Sequence, residues 1–233
     1  PTYCSRQRPV RQIRRENWLK NREKTEGTSF AEQKNVVSYM RFMNSYGGLI
    51  MNNNEILLLK LGEVVLKGLN RRSFEDKLVS NVRRRMKPCG SFQIYIRQST
   101  IYVEPQTEDC DMEAAFKAAR QVFGIVTVAR AVPCAKEMDA IVETAKTYLA
   151  DEFAKARTFK VESRRADKQF PMNSIQISQY VGGELGQFFN VKADMHHPDL
   201  TVYVEIREKY AYIHTPSVPG AGGLPIGMGG RAV

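Results

Sequence analysis

His196-His197-Pro198-Asp199 has the residue types of a metal site. Adjacent histidines point to opposite sides of an extended chain, however, so two-point ligation is awkward. The Pro-Asp step reads instead as a loop entering a strand. Cys4, Cys89, Cys110 and Cys134 are far apart, with no C-x-x-C pair and no histidine close in sequence. That spacing opposes structural zinc, a disulfide framework and nucleophilic catalysis, and it fits a reducing cytoplasm. Asp109 and Asp111 flank Cys110 and disfavour its thiolate. The glycines of Gly220-Ala221-Gly222-Gly223-Leu224-Pro225-Ile226-Gly227 suggest a phosphate loop. Such a loop needs a helix N-terminus after it. No helix follows here and the G-K-[ST] ending is missing, so the stretch reads as a flexible hinge. No catalytic residue, no metal site and no cofactor is assigned to the chain.

The basic clusters are the better signal. Lys160, Arg164, Arg165 and Lys168 surround the end of an expected strand, with Phe159 and Phe170 nearby. Lys67, Arg71 and Arg72 lie just before and at the start of an expected helix. Lysine and arginine bind phosphate oxygens by charge-assisted hydrogen bonds, and a helix N-terminus adds its dipole. These seven residues are the RNA-binding candidates. Arg83-Arg84-Arg85 reads as a solvated face, because cations are favoured at a helix end anyway.

The elements that must position these groups begin at Glu55. Glu55–Leu61 is an apolar run of strand length. Phe74, Leu78, Val82 and Met86 then make one helical stripe over Arg71–Lys87, with Ser73 or Asn70 as cap and Pro88-Cys89-Gly90 as stop. Phe92–Arg97 and Ile101–Glu104 read as a hairpin around Gln98-Ser99-Thr100. Asp111–Phe123 is a second helix, stopped by Gly124, and Ile125–Val132 a β-branched strand. The order is β-α-β-β-α-β, the split βαβ of a ferredoxin-like domain, whose second sheet face must be covered or used. The alternation continues with a helix over Met138–Ala154, a strand over Thr158–Arg164, a helix over Ser174–Asn190, and strands over Thr201–Arg207 and Tyr210–His214. Gly182-Gly183 weakens the last of these helices and predicts a close approach by another backbone. Pro216–Val233 is Gly/Pro-rich and reads as a linker with a further domain after it.

Composition sets the outer bounds. The chain has 233 residues, is 42% hydrophobic and 26% charged, and carries a net charge of +10. These values exclude collagen, a disulfide scaffold and disorder throughout, and no apolar run approaches a membrane span. Residues 1–50 hold ten Lys/Arg and four Glu, so more than half of the excess charge sits in the first fifth of the chain. This segment keeps neither a period of 2 nor one of 3.6, and it reads as a disordered or non-native extension. Gly47-Gly48-Leu49-Ile50-Met51 is what a purine-rich ribosome-binding site, read in frame, would encode before a start codon, which predicts that translation begins at Met51.

From Ile56 to Gly227 the chain resembles the N-terminal half of the tRNA 4-thiouridine synthase family, the tRNA uracil 4-sulfurtransferases linked to thiamine biosynthesis. Four stretches carry the resemblance: Leu61-Gly62-Glu63-Val64-Val65-Leu66-Lys67-Gly68-Leu69-Asn70-Arg71-Arg72-Ser73-Phe74, Gln121-Val122-Phe123-Gly124-Ile125, the run Thr158 to Lys168, and Gly220 to Gly227. The expected fold class is α+β, an N-terminal ferredoxin-like βαββαβ domain followed by an α/β THUMP domain. The expected bounds are 51–109 for the first, 110–215 for the second and 216–233 for a linker to a PP-loop domain. The resemblance implies a grip on the tRNA acceptor arm and 3′ end, with phosphates and 2′-hydroxyls read by shape. It implies ATP and Mg for uridine thiolation by the PP-loop domain, and a cysteine desulfurase as sulfur donor to the full-length parent. It leaves a homodimer open and places the protein in the cytoplasm, away from membranes. The family's S-G-G-x-D-S motif is absent from this chain, so adenylation and sulfur transfer are not assigned to it. The alternative is a stand-alone THUMP RNA-binding protein acting with a separate catalytic subunit.

Overall fold

The structure is a computed structural model and describes residues 55–62 and 71–227. Its strands are β1 (Ile56–Leu61), β2 (Phe92–Arg97), β3 (Thr100–Pro105), β4 (Ile125–Cys134), β5 (Thr158–Arg165), β6 (Lys192–Ala193), β7 (Leu200–Ile206), β8 (Ala211–His214) and β9 (Val218–Pro219). Its helices are α1 (Arg71–Met86), α2 (Met112–Arg120), α3 (Met138–Tyr148), α4 (Ala150–Phe153) and α5 (Ser174–Phe189). None is long and apolar enough to cross a membrane.

The apolar stripes set the packing. Leu78, Val82 and Met86 of α1, with Ala115 and Ala119 of α2, bury against Leu57 and Leu59 of β1, Val103 of β3 and Val128 of β4. Ile141, Ala145 and Leu149, with Ile177, Val181 and Leu185 of α5, bury against Phe159, Val161, Val202, Val204 and Ile213. The strand alternation that sends these residues to the helices sends their neighbours to the other face. Asp111 caps α2 through a bond from the Ala114 amide, and Asn173 with Gln176 forms a reciprocal capping box on α5. Ser73 lies inside α1, so it does not cap it, and Asn70 lies outside the described residues. The single helix expected over Met138–Ala154 is broken at Leu149 into α3 and α4.

All nine strands belong to one sheet, in the order β2-β3-β1-β4-β8-β7-β5-β6, with β9 beside β4. The first four make the antiparallel sheet of a ferredoxin-like unit. In the second half β5 runs parallel to β7, and β8 runs antiparallel to β7. Strand β4 joins the halves: residues 125–131 pair with β1, and residues 131–134 pair with β8.

The sheet folds back on its helix-free face. Lys60 of β1 meets Glu205 of β7 at 3.0 Å across two intervening strands. Arg207 reaches Thr100 Oγ1 at 3.3 Å although three strands lie between β7 and β3. In a flat sheet four strand spacings amount to about 19 Å, beyond any side-chain pair. The second half therefore covers the sheet face that the ferredoxin-like helices leave open. Ile56, Leu58, Tyr102, Ala129, Ala131 and Tyr212 form the apolar part of that closure.

The segment after β8 is not a free hinge. The Gly220 and Gly222 amides donate to Val126 O and Ile125 O, each at 2.8 Å, and the Gly124 amide donates to Gly222 O at 2.7 Å. Asn81 Nδ2 donates to Ile226 O, Arg120 Nε donates to Pro219 O, and Pro225 is buried. The glycines serve close approach: a Cβ on Gly220 would lie 2.5 Å from Ile125 O. The close approach expected at Gly182-Gly183 is also displaced. Gly182 meets only the Val161 side chain at ordinary contact and Gly183 meets nothing, while Gly186 carries the tighter packing against Val191 O and Phe159.

Candidate nucleic-acid interface

Strand β5 aims Phe159 and Val161 into the core and Lys160, Glu162 and Arg164 at the helix-free face. Lys160 Nζ sits 2.6 Å from Glu162 Oε1, and that hydrogen bond raises the lysine's pKa. Its charge is thus partly answered within the strand. Arg164 is exposed and makes no hydrogen bond or ion pair among the described residues. Arg165 is structural: its Nη1 donates to Phe170 O at 3.0 Å and to Met172 O at 3.5 Å.

Those two bonds shape the loop that carries Lys168. The loop is further tied by Lys136, whose Nζ lies 2.6 Å from Asp167 Oδ2. The Lys136 bond and the Gln169 amide hold the Asp167 carboxyl below its usual pKa. Lys168 projects from this frame, exposed and without a polar partner among the described residues. The loop leads into the capped N-terminus of α5, the positive end of its dipole. Ile175 in the first turn is 70% exposed.

In the other cluster, Lys67 lies outside the described residues. Arg71 donates from Nε to Glu75 Oε1 at 2.6 Å and from Nη2 to Ser99 Oγ at 3.0 Å. Arg72 is exposed and unpaired among the described residues. A chain of contacts joins the two clusters. Ser99 sits in the β2–β3 turn beside Arg97, and Arg97 Nη1 lies 3.5 Å from Glu208 Oε2. Lys136 bonds Glu208 O at 2.7 Å and Asp167 as above, and Asp167 precedes Lys168. The folded sheet thus brings both clusters to one continuous rim. Exposed Arg72, Arg164 and Lys168 stand on it, with Arg71 and Arg165 acting as its frame.

Arg83 and Arg85 are spent on Ile94 O and Gln121 Oε1 at the end of α1, in keeping with the local reading of that run. The sequence alone did not reveal a second set of cations at the far end of β5. Exposed Lys155, Arg157 and Lys192 gather there because β6 pairs with the start of β5. A two-residue strand carries no periodicity to announce that pairing. Asp199 Oδ2 holds the Arg157 and Thr158 amides, and Asp194 Oδ1 holds the His196 and His197 amides. The acids of this loop are therefore occupied by main chain and, for Asp199, by Arg157 Nε at 3.6 Å as well, and no metal-holding group of three or more occurs among the described residues.

The architecture defines the class: an α+β protein with a ferredoxin-like unit followed by a THUMP unit. The family description "ThiI ferredoxin-like domain" matches residues 56–129 and "THUMP domain" matches residues 135–215. Proteins named probable tRNA sulfurtransferase from Alkaliphilus oremlandii and Acetivibrio thermocellus are 37% and 38% identical over 182 residues, covering 76% and 77% of this chain and 46% of theirs. A crystal structure of a 4-thiouridine synthetase–RNA complex with bound ATP shares the fold at a TM-score of 0.66, with 24% identity over 76% of this chain and 45% of that one. Over these two domains the chain is similar to part of the proteins named probable tRNA sulfurtransferase. It spans about half the length of the curated relatives it matches.

Proposed function

We propose that this chain is the tRNA-binding portion of a tRNA sulfurtransferase and grips the acceptor arm and 3′ end of its substrate. The observation that carries this reading is the rim on which Arg72, Arg164 and Lys168 stand free of carboxylates among the described residues while neighbouring side chains hold their loops in place. A-form RNA hides its base edges in a deep major groove, so such a rim addresses phosphates and 2′-hydroxyls. The name of the relatives supplies the class of RNA. Lys67, Lys160, Arg71 and Arg165 are assigned to the same interface, the last two chiefly as supports. ATP, Mg and the thiolation step are assigned to the half of the relatives outside the match. The glycine segment here does not fit a phosphate loop, because the Gly220 and Gly222 amides are already bonded. A cysteine desulfurase as sulfur donor, a homodimer, a link to thiamine biosynthesis and a cytoplasmic location complete the proposal.

The test is a tRNA titration at several salt concentrations. Arg164→Ala and Lys168→Ala should weaken binding to different tRNAs alike, and each should flatten the salt slope by about 1. Unchanged affinity and slope in both variants would remove the rim from the interface.

A further inference from the structure

The helix-free face where the two halves meet contains a charged group that the RNA reading does not use. Glu205 is only 4% exposed. Its Oε1 lies 3.0 Å from Lys60 Nζ and 3.5 Å from His214 Nε2, and its Oε2 accepts from Arg207 Nε at 3.0 Å and Nη2 at 2.5 Å. Arg207 carries the contact onward, donating to Thr100 Oγ1 and lying 5.7 Å from the centre of the Tyr102 ring. Tyr102 packs between Tyr95 and Tyr212. Lys60, Thr100 and Tyr102 belong to the ferredoxin-like half, and Glu205, Arg207, Tyr212 and His214 to the THUMP half. Further contacts cross the boundary: Arg97 Nη1 lies 3.5 Å from Glu208 Oε2, and the Tyr148 hydroxyl donates to Glu55 Oε1 at 3.0 Å.

We infer that Glu205 is a positioning residue: by holding Lys60 on one side and Arg207 on the other, it fixes the angle between the two halves and so presents their separate cations to RNA as one rigid rim. Three observations support this. The carboxylate touches no exposed cluster, so it does not bind RNA itself. Lys60 and Arg207 both bond it, and the connection reaches across the fold of the sheet twice, to Lys60 directly and to Thr100 through Arg207. The covalent joint, β4, pairs with β1 on residues 125–131 and with β8 on residues 131–134, so the two sets of pairs share only Ala131. β9 and the glycine segment add main-chain ties to residues 124–128, and side chains on the helix-free face supply the rest of the bracing. The consequence for RNA rests on the function proposed above; the bracing does not.

The test uses the full chain with Glu205→Gln, and with Lys60→Gln as a milder variant that removes only the cross-boundary ion pair. Hydrogen exchange is followed at Ala131–Cys134 and Ala211–His214, and at α1 and α5 as internal standards. Bracing predicts that amides at the junction exchange at least tenfold faster in both variants while those of α1 and α5 hold. Uniform acceleration, or no change at the junction, would overturn it. Titration with tRNA then asks whether the angle matters. Both variants should lose affinity about tenfold and show a shallower salt slope, since fewer phosphates are met at once. A loosened junction with wild-type affinity and slope would overturn the positioning role. Failure of the unaltered chain to bind tRNA would instead refute the functional proposal and leave the exchange result to decide the bracing.

Discussion

Replacing Gly220 by alanine should unfasten the segment that crosses back over the ferredoxin-like half. The new Cβ would stand 2.5 Å from Ile125 O and 3.3 Å from Ile125 Cγ2. The first neighbour is main chain inside a strand, so it cannot swing aside. Restoring ordinary contact at 3.4 Å requires a movement of about 0.9 Å, enough to stretch a 2.8 Å hydrogen bond beyond useful length. The Gly220, Gly222 and Gly124 amide bonds lie within a few residues of that point. At roughly 0.5–1.5 kcal/mol net for each bond, loss of two of the three amounts to some 2 kcal/mol. In a domain of this size that lowers Tm by about 4–8 °C. Calorimetry gives the Tm, and exchange at the Gly124 and Gly222 amides locates the damage. A Tm within about 1 °C of the parent, with both amides still protected, would refute the close-approach account of this glycine.

Other expectations concern different parts of the molecule. Gly183→Ala should stabilise the protein by about 0.5–1 kcal/mol, because its Cβ meets nothing and alanine is the better helix former; a melting curve decides. Acid should weaken the fold through Glu205. Burial raises its pKa, but His214, Arg207 and Lys60 outweigh burial and hold it far below the ordinary 4.5. Its contribution is therefore complete above about pH 4.5 and is lost as pH falls toward the folded value, so wild-type Tm should drop more steeply below pH 4.5 than that of Glu205→Gln. Burial pushes the Cys134 thiol up to about 11, outweighing its bond with Thr144. At pH 8 iodoacetamide should label Cys134 slowly in the folded protein and quickly in denaturant, read by peptide mapping.

Much of the fold was written in local patterns. The stripe Leu78, Val82, Met86 gave α1, the alternation Phe92, Ile94, Ile96 gave β2, and Pro88-Cys89-Gly90 gave the stop between them. The basic cluster at the end of β5 was legible because Arg164 and Lys168 flank a strand terminus. What stayed hidden is what depends on distant contact. Alternation in β7 placed Glu205 opposite Val204 and Ile206, which normally means solvent; only the folding of the sheet buries it. The glycine segment after β8 has the composition of a hinge, and its pinning depends on acceptors in Ile125 and Val126, nearly a hundred residues earlier. Leu149 gave no sign of ending α3, since leucine is a strong helix former. The division of labour in Arg164-Arg165 was equally invisible, because it rests on which carbonyls the following loop offers.

Strand β4 also bears on how this protein can be taken apart. The two family matches end at residue 129 and begin at residue 135, and both limits fall within or just beyond that one ten-residue strand. A cut at the end of the gap would carry Ala131–Cys134 away with the first piece and leave the second with a raw border where Ala211–His214 had been paired. Recombination between relatives therefore has to carry residues 125–134 intact, and a graft of the second module into another scaffold must bring its own copy of this strand.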